Sequence, residues 1–302
     1  MKFASVVFGL GLFTATALAH PLHVINRRAS ADGPTDVDIL NFALTLEHLE
    51  STFYAQGLAR FSARDFESAG LPAWAYGRVK QIAAHEATHV SALAGALGKA
   101  AVQPCTYKFP YTDPKSFMKV SQALESVGTS AYTGAARFIQ NKDYLLVAAE
   151  ILSVEARHSS WVGSSIEKEA GWSGAFETPL DLNQVYSLAA GFITACPNTN
   201  APLPVHAFAP LTLSSPTAGA APTAGSVIAL QFGSHNGTAL YAAFLNGQSE
   251  QVVPLDAQGH ATVPQGLKGT TYVLVVNDSG TVQDGTTVAG PAILDLAFGS
   301  DE

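Results

Sequence analysis

Residues 85–89 read His85-Glu86-Ala87-Thr88-His89, inside the stretch KQIAAHEATHVSALAGAL that covers residues 80–97. Letter for letter this is H-E-x-x-H, the pattern of a zinc-protease helix with two histidine ligands and a glutamate base. The same letters contain Glu86-x-x-His89, a pair that ligates metal in helix bundles of a different kind. Helical periodicity decides between them. On a wheel turning about 100° per residue, Val79, Ile82, Val90, Leu93 and Leu97 fall within about 40° of Glu86, at the centre of the apolar stripe. His89 lies about 60° to one side and His85 about 100° away, at the flank beside Arg78. A zinc protease needs both histidines on the metal. Its extended form also needs glycine and histidine where Ala92 and Gly95 stand. The protease reading fails, and a carboxylate facing a core remains to be explained.

Such a carboxylate costs several kcal/mol unless it is paired, protonated or bound to metal. Three other helical stretches repeat the arrangement. Glu47 shares a face with Leu40, Ala43, Leu44 and Tyr54; Glu125 lies among Ser121, Leu124, Gly128 and Tyr132. Glu155 and His158 share theirs with Ala148, Ile151, Leu152, Val162 and Ile166. The order also repeats: Glu47 and Tyr54 precede Glu86-x-x-His89, and Glu125 and Tyr132 precede Glu155-x-x-His158. One glutamate from each of two helices and Glu-x-x-His from each of two more is the ligand set of di-iron and di-manganese carboxylate bundles. The candidate ligands are therefore Glu47, Glu86, His89, Glu125, Glu155 and His158, and the expected cofactor is two iron or manganese ions. Four carboxylates would balance two divalent ions, whereas without metal they would repel each other. Tyr54 and Tyr132 are candidates to hydrogen-bond the carboxylates; the plainer reading makes them core aromatics. Glu50, one turn after Glu47, could compete for metal or act beside it, and Glu150 is a lesser candidate.

The chain has 302 residues, 47% hydrophobic and only 13% charged, which points to a globular protein with ample core. A formal charge of −8 argues against a nucleic-acid partner, which wants a clustered basic face. Residues 36–197 read as a mainly α, ferritin-like four-helix bundle with a fifth helix, PLDLNQVYSLAAGFITAC, closing at Pro197. Fifteen residues without helical period separate Gly98 from Pro114. Extended, they could reach roughly 50 Å, against roughly 35 Å for the preceding helix, so this connection can run the length of the bundle. Residues 198–224 have the Pro/Ala/Ser/Thr composition of a linker. Residues 225–299 alternate β-branched and aromatic runs with turn signals, as in a small β-sandwich-like module.

Residues 1–19 carry Lys2, an apolar run and Ala17-Leu18-Ala19, the pattern of a cleaved secretory signal. Arg27-Arg28 would close a propeptide over 20–28. No later segment is apolar enough to span a bilayer. In a secretory compartment Cys105 and Cys196 are most simply one disulfide, two separate buried thiols being the alternative. The loop it would close is worth up to roughly 4–5 kcal/mol on a chain-entropy view. Asn236 and Asn277 begin glycosylation sequons. The expected location is extracellular or in the cell wall.

The stretches DILNFALTLEHLESTFY, HEATHVSAL, ALESVGTSAYTGAARFI and ILSVEARHSSWV, most of residues 36–170, resemble the ferritin-like superfamily. More closely, the chain resembles secreted fungal and plant ferritin-like proteins described as stress-response or desiccation-related, a likeness that extends to AGPAILDLAF near the C-terminus. The resemblance implies metal binding by the six residues above, with Tyr54 and Tyr132 around them. It implies no settled reaction, since one fold hosts many chemistries. Two functional readings follow. One is a di-metal oxidoreductase, catalase-like or ferroxidase-like, acting on peroxide or dioxygen. The other is a non-enzymatic matrix or cell-wall protein whose metal only staples the bundle. An iron-storage shell fits less well with secretion and the added β module.

Overall fold

The computed structural model describes residues 33–215, 221–234 and 239–301. The signal read at 1–19, the segment 20–28 and the sequon at Asn236 lie outside them. Helix α1 (Asp36–Arg60) begins at Thr35, whose hydroxyl accepts from the Asp38 N–H while the Asp38 carboxylate accepts from the Thr35 N–H. This reciprocal cap satisfies two otherwise orphaned donors. A short helix, α2 (Ala63–Ser68), leads to α3 (Ala75–Leu97). Helix α4 (Pro114–Ala135) starts behind an Asp113 cap with proline at its first position, where the missing N–H costs nothing. Helices α5 (Lys142–Trp161) and α6 (Leu182–Ala190) complete the set. Helix α1 packs on α3 and α4 on α5, so the chain between Leu97 and Pro114 is the crossover between two helical hairpins. Among the described residues no helix is long and apolar enough to cross a membrane.

The crossover carries strand β1 (Thr106–Tyr107), which pairs antiparallel with β2 (Ile193–Ala195). Beside this ladder Cys105 and Cys196 form a disulfide. The fifth helix, expected to reach Pro197, stops at Ala190. Gly191 follows it, and the β-branched Ile193 and Thr194 enter the ladder instead, where tertiary pairing overrides helical continuation.

The C-terminal region forms two small antiparallel sheets. One is ordered β3 (Thr212–Ser214), β4 (Val227–Gln231), β7 (His260–Thr262). The other is ordered β6 (Ser249–Pro254), β5 (Tyr241–Asn246), β8 (Gly269–Val276), β9 (Thr287–Leu296). Strand β3 comes from the Pro-rich stretch, pairing Thr212–Ser214 with β4. Successive side chains of a strand point to opposite faces, and β8 uses both. Tyr272, Leu274 and Val276 join the hydrophobic core of the bundle, while Val273 and Val275 join the core between the sheets. Strand β5 divides likewise, with Ala243 and Leu245 toward the helices and Ala242 and Phe244 toward the second sheet. The four-stranded sheet is thus sandwiched between the bundle and the three-stranded sheet. Asn277 stands exposed just after β8.

Helix α4 is the element on which both halves lean. Every residue from Leu124 to Tyr132 is buried. The Tyr272 hydroxyl meets Ser130 Oγ at 2.9 Å and donates to the Ser126 carbonyl at 3.0 Å, anchoring the sheet on small residues of α4. One turn on, the Leu180 N–H donates to the Ser130 carbonyl, and the chain there passes so close that a Cβ at Gly134 would lie 1.7 Å from the Leu180 carbonyl oxygen. Backbone cannot swing aside as a side chain can. Gly134→Ala is therefore expected to destabilise by about 1–3 kcal/mol or more, read as a lowered thermal unfolding midpoint; an unchanged midpoint would remove this contact as a determinant of the fold.

Candidate metal centre

The periodicity that puts Glu47, Glu86, Glu125 and Glu155 on the apolar faces of α1, α3, α4 and α5 brings all four to one place. Their exposures are 1%, 0%, 0% and 0%. His89 and His158 join them from the turns after Glu86 and Glu155, each also buried. Two overlapping quartets result, Glu47/Glu86/His89/Glu155 and Glu86/Glu125/Glu155/His158, each with donor atoms within 4.8 Å of one another. Glu86 and Glu155 belong to both.

The contacts cross between the hairpins. His89 Nδ1 is 3.1 Å from Glu86 Oε2 on its own helix, but also 3.3 Å from Glu47 and 3.3 Å from Glu155. His158 Nδ1 is 3.1 Å from Glu125 and 3.2 Å from Glu86. The tyrosines exchange partners in the same way. Tyr132 on α4 donates to Glu47 Oε1 at 2.6 Å, and Tyr54 on α1 donates to Glu125 Oε1 while meeting Ser121 Oγ at 2.7 Å. Each half of the internal repeat therefore orients the carboxylate of the other.

These contacts set the protonation of the metal-free cluster. Burial works against a charged ring at His89, yet hydrogen bonds to Glu155, Glu47 and Glu86 outweigh it and raise its pKa to about 12. Burial likewise opposes charge on His158, and its bonds to Glu125 and Glu86 hold it at about 9. Glu86, between the two imidazoles, is held down at about 2 although burial pushes it up. Burial raises Glu47 to about 7 against the pull of His89. Burial, and then the charge of Glu86, drive Glu155 well above the usual carboxylate range. Burial also lifts Glu125. Loss of water thus acts on every member, and only the hydrogen-bonded ion pairs resist it.

The donor set suits two cations. Glu155 Oε2 is buried with no hydrogen-bond partner among the described residues, and Glu47 Oε2, Glu86 Oε1 and Glu155 Oε1 have only an imidazole nitrogen at 3.2–3.3 Å. Buried carboxylate oxygens are rarely left with so little, and all of them belong to members of the two quartets. The arrangement is consistent with a di-metal site.

Three further acids and histidines resolve differently. Glu150 is exposed on α5 and outside both quartets, so the lesser candidacy given to it does not hold. Glu50 is buried beside the cluster but also belongs to neither. His85 is exposed and belongs to neither quartet. It nevertheless has a place that sequence reasoning missed. His85 Nδ1 lies 2.9 Å from His158 Nε2, with the two rings 8° from parallel. A partner on the outer nitrogen of a ligating histidine fixes its tautomer and ring orientation. Its position at the stripe's flank shows that it borders a neighbouring helix, but nothing in the sequence says which.

Comparison with known proteins agrees with this geometry. The ferritin-like domain family matches residues 35–168, the span that holds all six clustered residues. The chain is also 27% identical over 229 residues to Protein rds1 of Schizosaccharomyces pombe, covering 75% of this chain and 54% of that protein. It thus spans about half the length of the curated relative that it matches. With the bundle and the cluster described above, residues 35–168 belong to the ferritin-like domain family.

Proposed function

We propose that the cluster holds two iron or manganese ions and that the chain uses them for redox chemistry on peroxide or dioxygen, as an extracellular stress-response protein. The observation that carries the reading is the sharing of Glu86 and Glu155 by both quartets, with Glu155 Oε2 unpartnered among the described residues and Glu86 Oε1 met only by the His158 ring. Glu86 and Glu155, common to both quartets, would be shared by the two ions. Glu47 with His89 would hold one ion and Glu125 with His158 the other. Bound iron or manganese supplies one-electron steps between the +2 and +3 states. Tyr54 and Tyr132 hold Glu125 and Glu47 by their outer oxygens, and His85 holds the ring of His158. Burial of all six donors keeps bulk water away, so charge changes at the centre are felt strongly by the surrounding residues. The signal-like leader, the dibasic pair, the disulfide and the exposed Asn277 sequon support an extracellular setting.

Protein made without a chelating tag is expected to contain about two ions of iron or manganese per chain by elemental analysis. Zinc alone, or no metal, would sink the redox reading. Glu86→Ala combined with Glu155→Ala should weaken metal retention by more than the roughly 10–100-fold typical of losing an outer partner, and peroxide consumption should fall with it. Loaded protein inert to both peroxide and dioxygen would assign the metal a purely structural role.

Proton release supplies a second check. In the metal-free chain His89 and His158, with pKa values near 12 and 9, carry protons at neutral pH. A ligating imidazole must be neutral. Metal uptake should therefore release protons into a weakly buffered solution, and affinity should rise as pH increases from about 6 toward 9, where His158 gives up its proton unaided. Affinity that is flat over this range would show that the two histidines are not ligands.

A further inference from the structure

Glu50 is the acid that the metal reading leaves over. It lies one turn beyond Glu47 on α1, only 5% exposed, and no hydrogen bond or ion pair reaches it from any described residue. The internal repeat makes its isolation informative. Glu50 follows Glu47 by three residues, and its counterpart three residues after Glu125 is Gly128. A Cβ at Gly128 would lie 3.1 Å from Glu50 Oε1 and 2.8 Å from Glu155 Oε2. The missing side chain on one half is the space into which the extra carboxyl of the other half extends, directly beside Glu155.

On its other side Glu50 meets a cavity of about 330 Å³. The walls are Leu49 from α1, Leu124 and Val127 from α4, Leu188 from α6, Phe192 just beyond it, and Ile293 from β9. Ser187 also borders it, but its hydroxyl already donates to the Asn183 carbonyl and accepts from the Phe208 N–H. Glu50 is thus the one side-chain polar group of the lining left without a hydrogen-bond partner among the described residues. An apolar chamber of this size with a single convergent polar group is the usual form of a small-molecule site.

The geometry points to a binding site here for a small aliphatic alcohol, its chain among the leucines and its hydroxyl on Glu50. A hydroxyl both donates and accepts, so it satisfies this side chain whether or not the carboxyl carries a proton. An alkane would leave Glu50 unpaired, and a carboxylate ligand would bring a further negative charge next to Glu155. The site would place its ligand one side chain from the metal cluster, and the C-terminal sheet would serve to close it through β9. Only the nearness to bound metal rests on the di-metal reading; the cavity and Glu50 do not.

The test uses the full chain, with hexanol and hexane as probes, titrated calorimetrically before and after chelator treatment. Hexanol is expected to bind at one per chain and about tenfold more tightly than hexane, the scale of one buried hydrogen bond. Glu50→Leu should abolish that preference. Ala292→Phe and Leu188→Trp, which fill the chamber from β9 and from α6, should each weaken both probes about tenfold or more; either variant that keeps the wild-type unfolding transition suffices. Absence of saturable binding, a preference that survives Glu50→Leu, or indifference to both filling variants would overturn the proposal. Metal content measured on the same samples separates the two ideas. Alcohol binding in a chain that never holds iron or manganese would remove the di-metal reading and leave this site standing, and the converse result would do the reverse.

Discussion

Four carboxylates and two imidazoles sit where a helix bundle would ordinarily place leucines, and the rest of the structure is arranged around that burden. Charge taken out of water is tolerated only when it is paired, protonated or bound to a cation. Two of these responses, pairing and protonation, are visible here. His89 and His158 are held charged by the glutamates around them, and Glu155 is driven toward its neutral form. No helix solves the problem alone. Glu47 takes its hydrogen bond from α4, Glu125 takes its own from α1, and the histidines reach carboxylates on other helices. The cluster therefore acts as a register device for the bundle, since sliding one hairpin along the other would break every crossed contact at once.

The same constraint explains why α4 is small-faced rather than simply apolar. One side carries Glu125 and Tyr132 into the cluster. The other carries Ser126, Ser130 and Gly134, which let the sheet and the Leu180 segment approach closely. A helix buried on two sides needs short side chains on one of them, because two full layers of leucine would push the sheet away. Tyr272 closes the gap with a buried hydroxyl bonded to α4. The C-terminal sheet is consequently continuous with the helical core, and one wall of the chamber at Glu50 comes from its β9 edge.

Much of the candidate centre was legible in the sequence because its signal is periodic and local. Glu86 at the middle of an apolar stripe, and the repetition of that pattern around Glu155, follow from counting residues on a helix. The crossover length and the breakers at Gly98 and Pro114 are local too. What escaped depends on neighbours from other helices. His85 looks idle on its own wheel and acquires a partner only because α5 brings His158 alongside. Glu50 looks like a spare acid until Gly128 is found opposite it. The strand at Ile193–Ala195 reads as helix until β1 is there to pair with it.

By itself, then, the sequence determined the helical hairpins, the four inward carboxylates with their two histidines, and the alternating strands that follow, because spacing along one element sets which side chains share a face. Only the tertiary structure decided how those faces meet: which tyrosine holds which glutamate, which two carboxylates lie in both quartets, and which acid is left beside an apolar chamber. Those are distances between residues far apart in the chain, set by packing, and no periodicity within a single helix contains them.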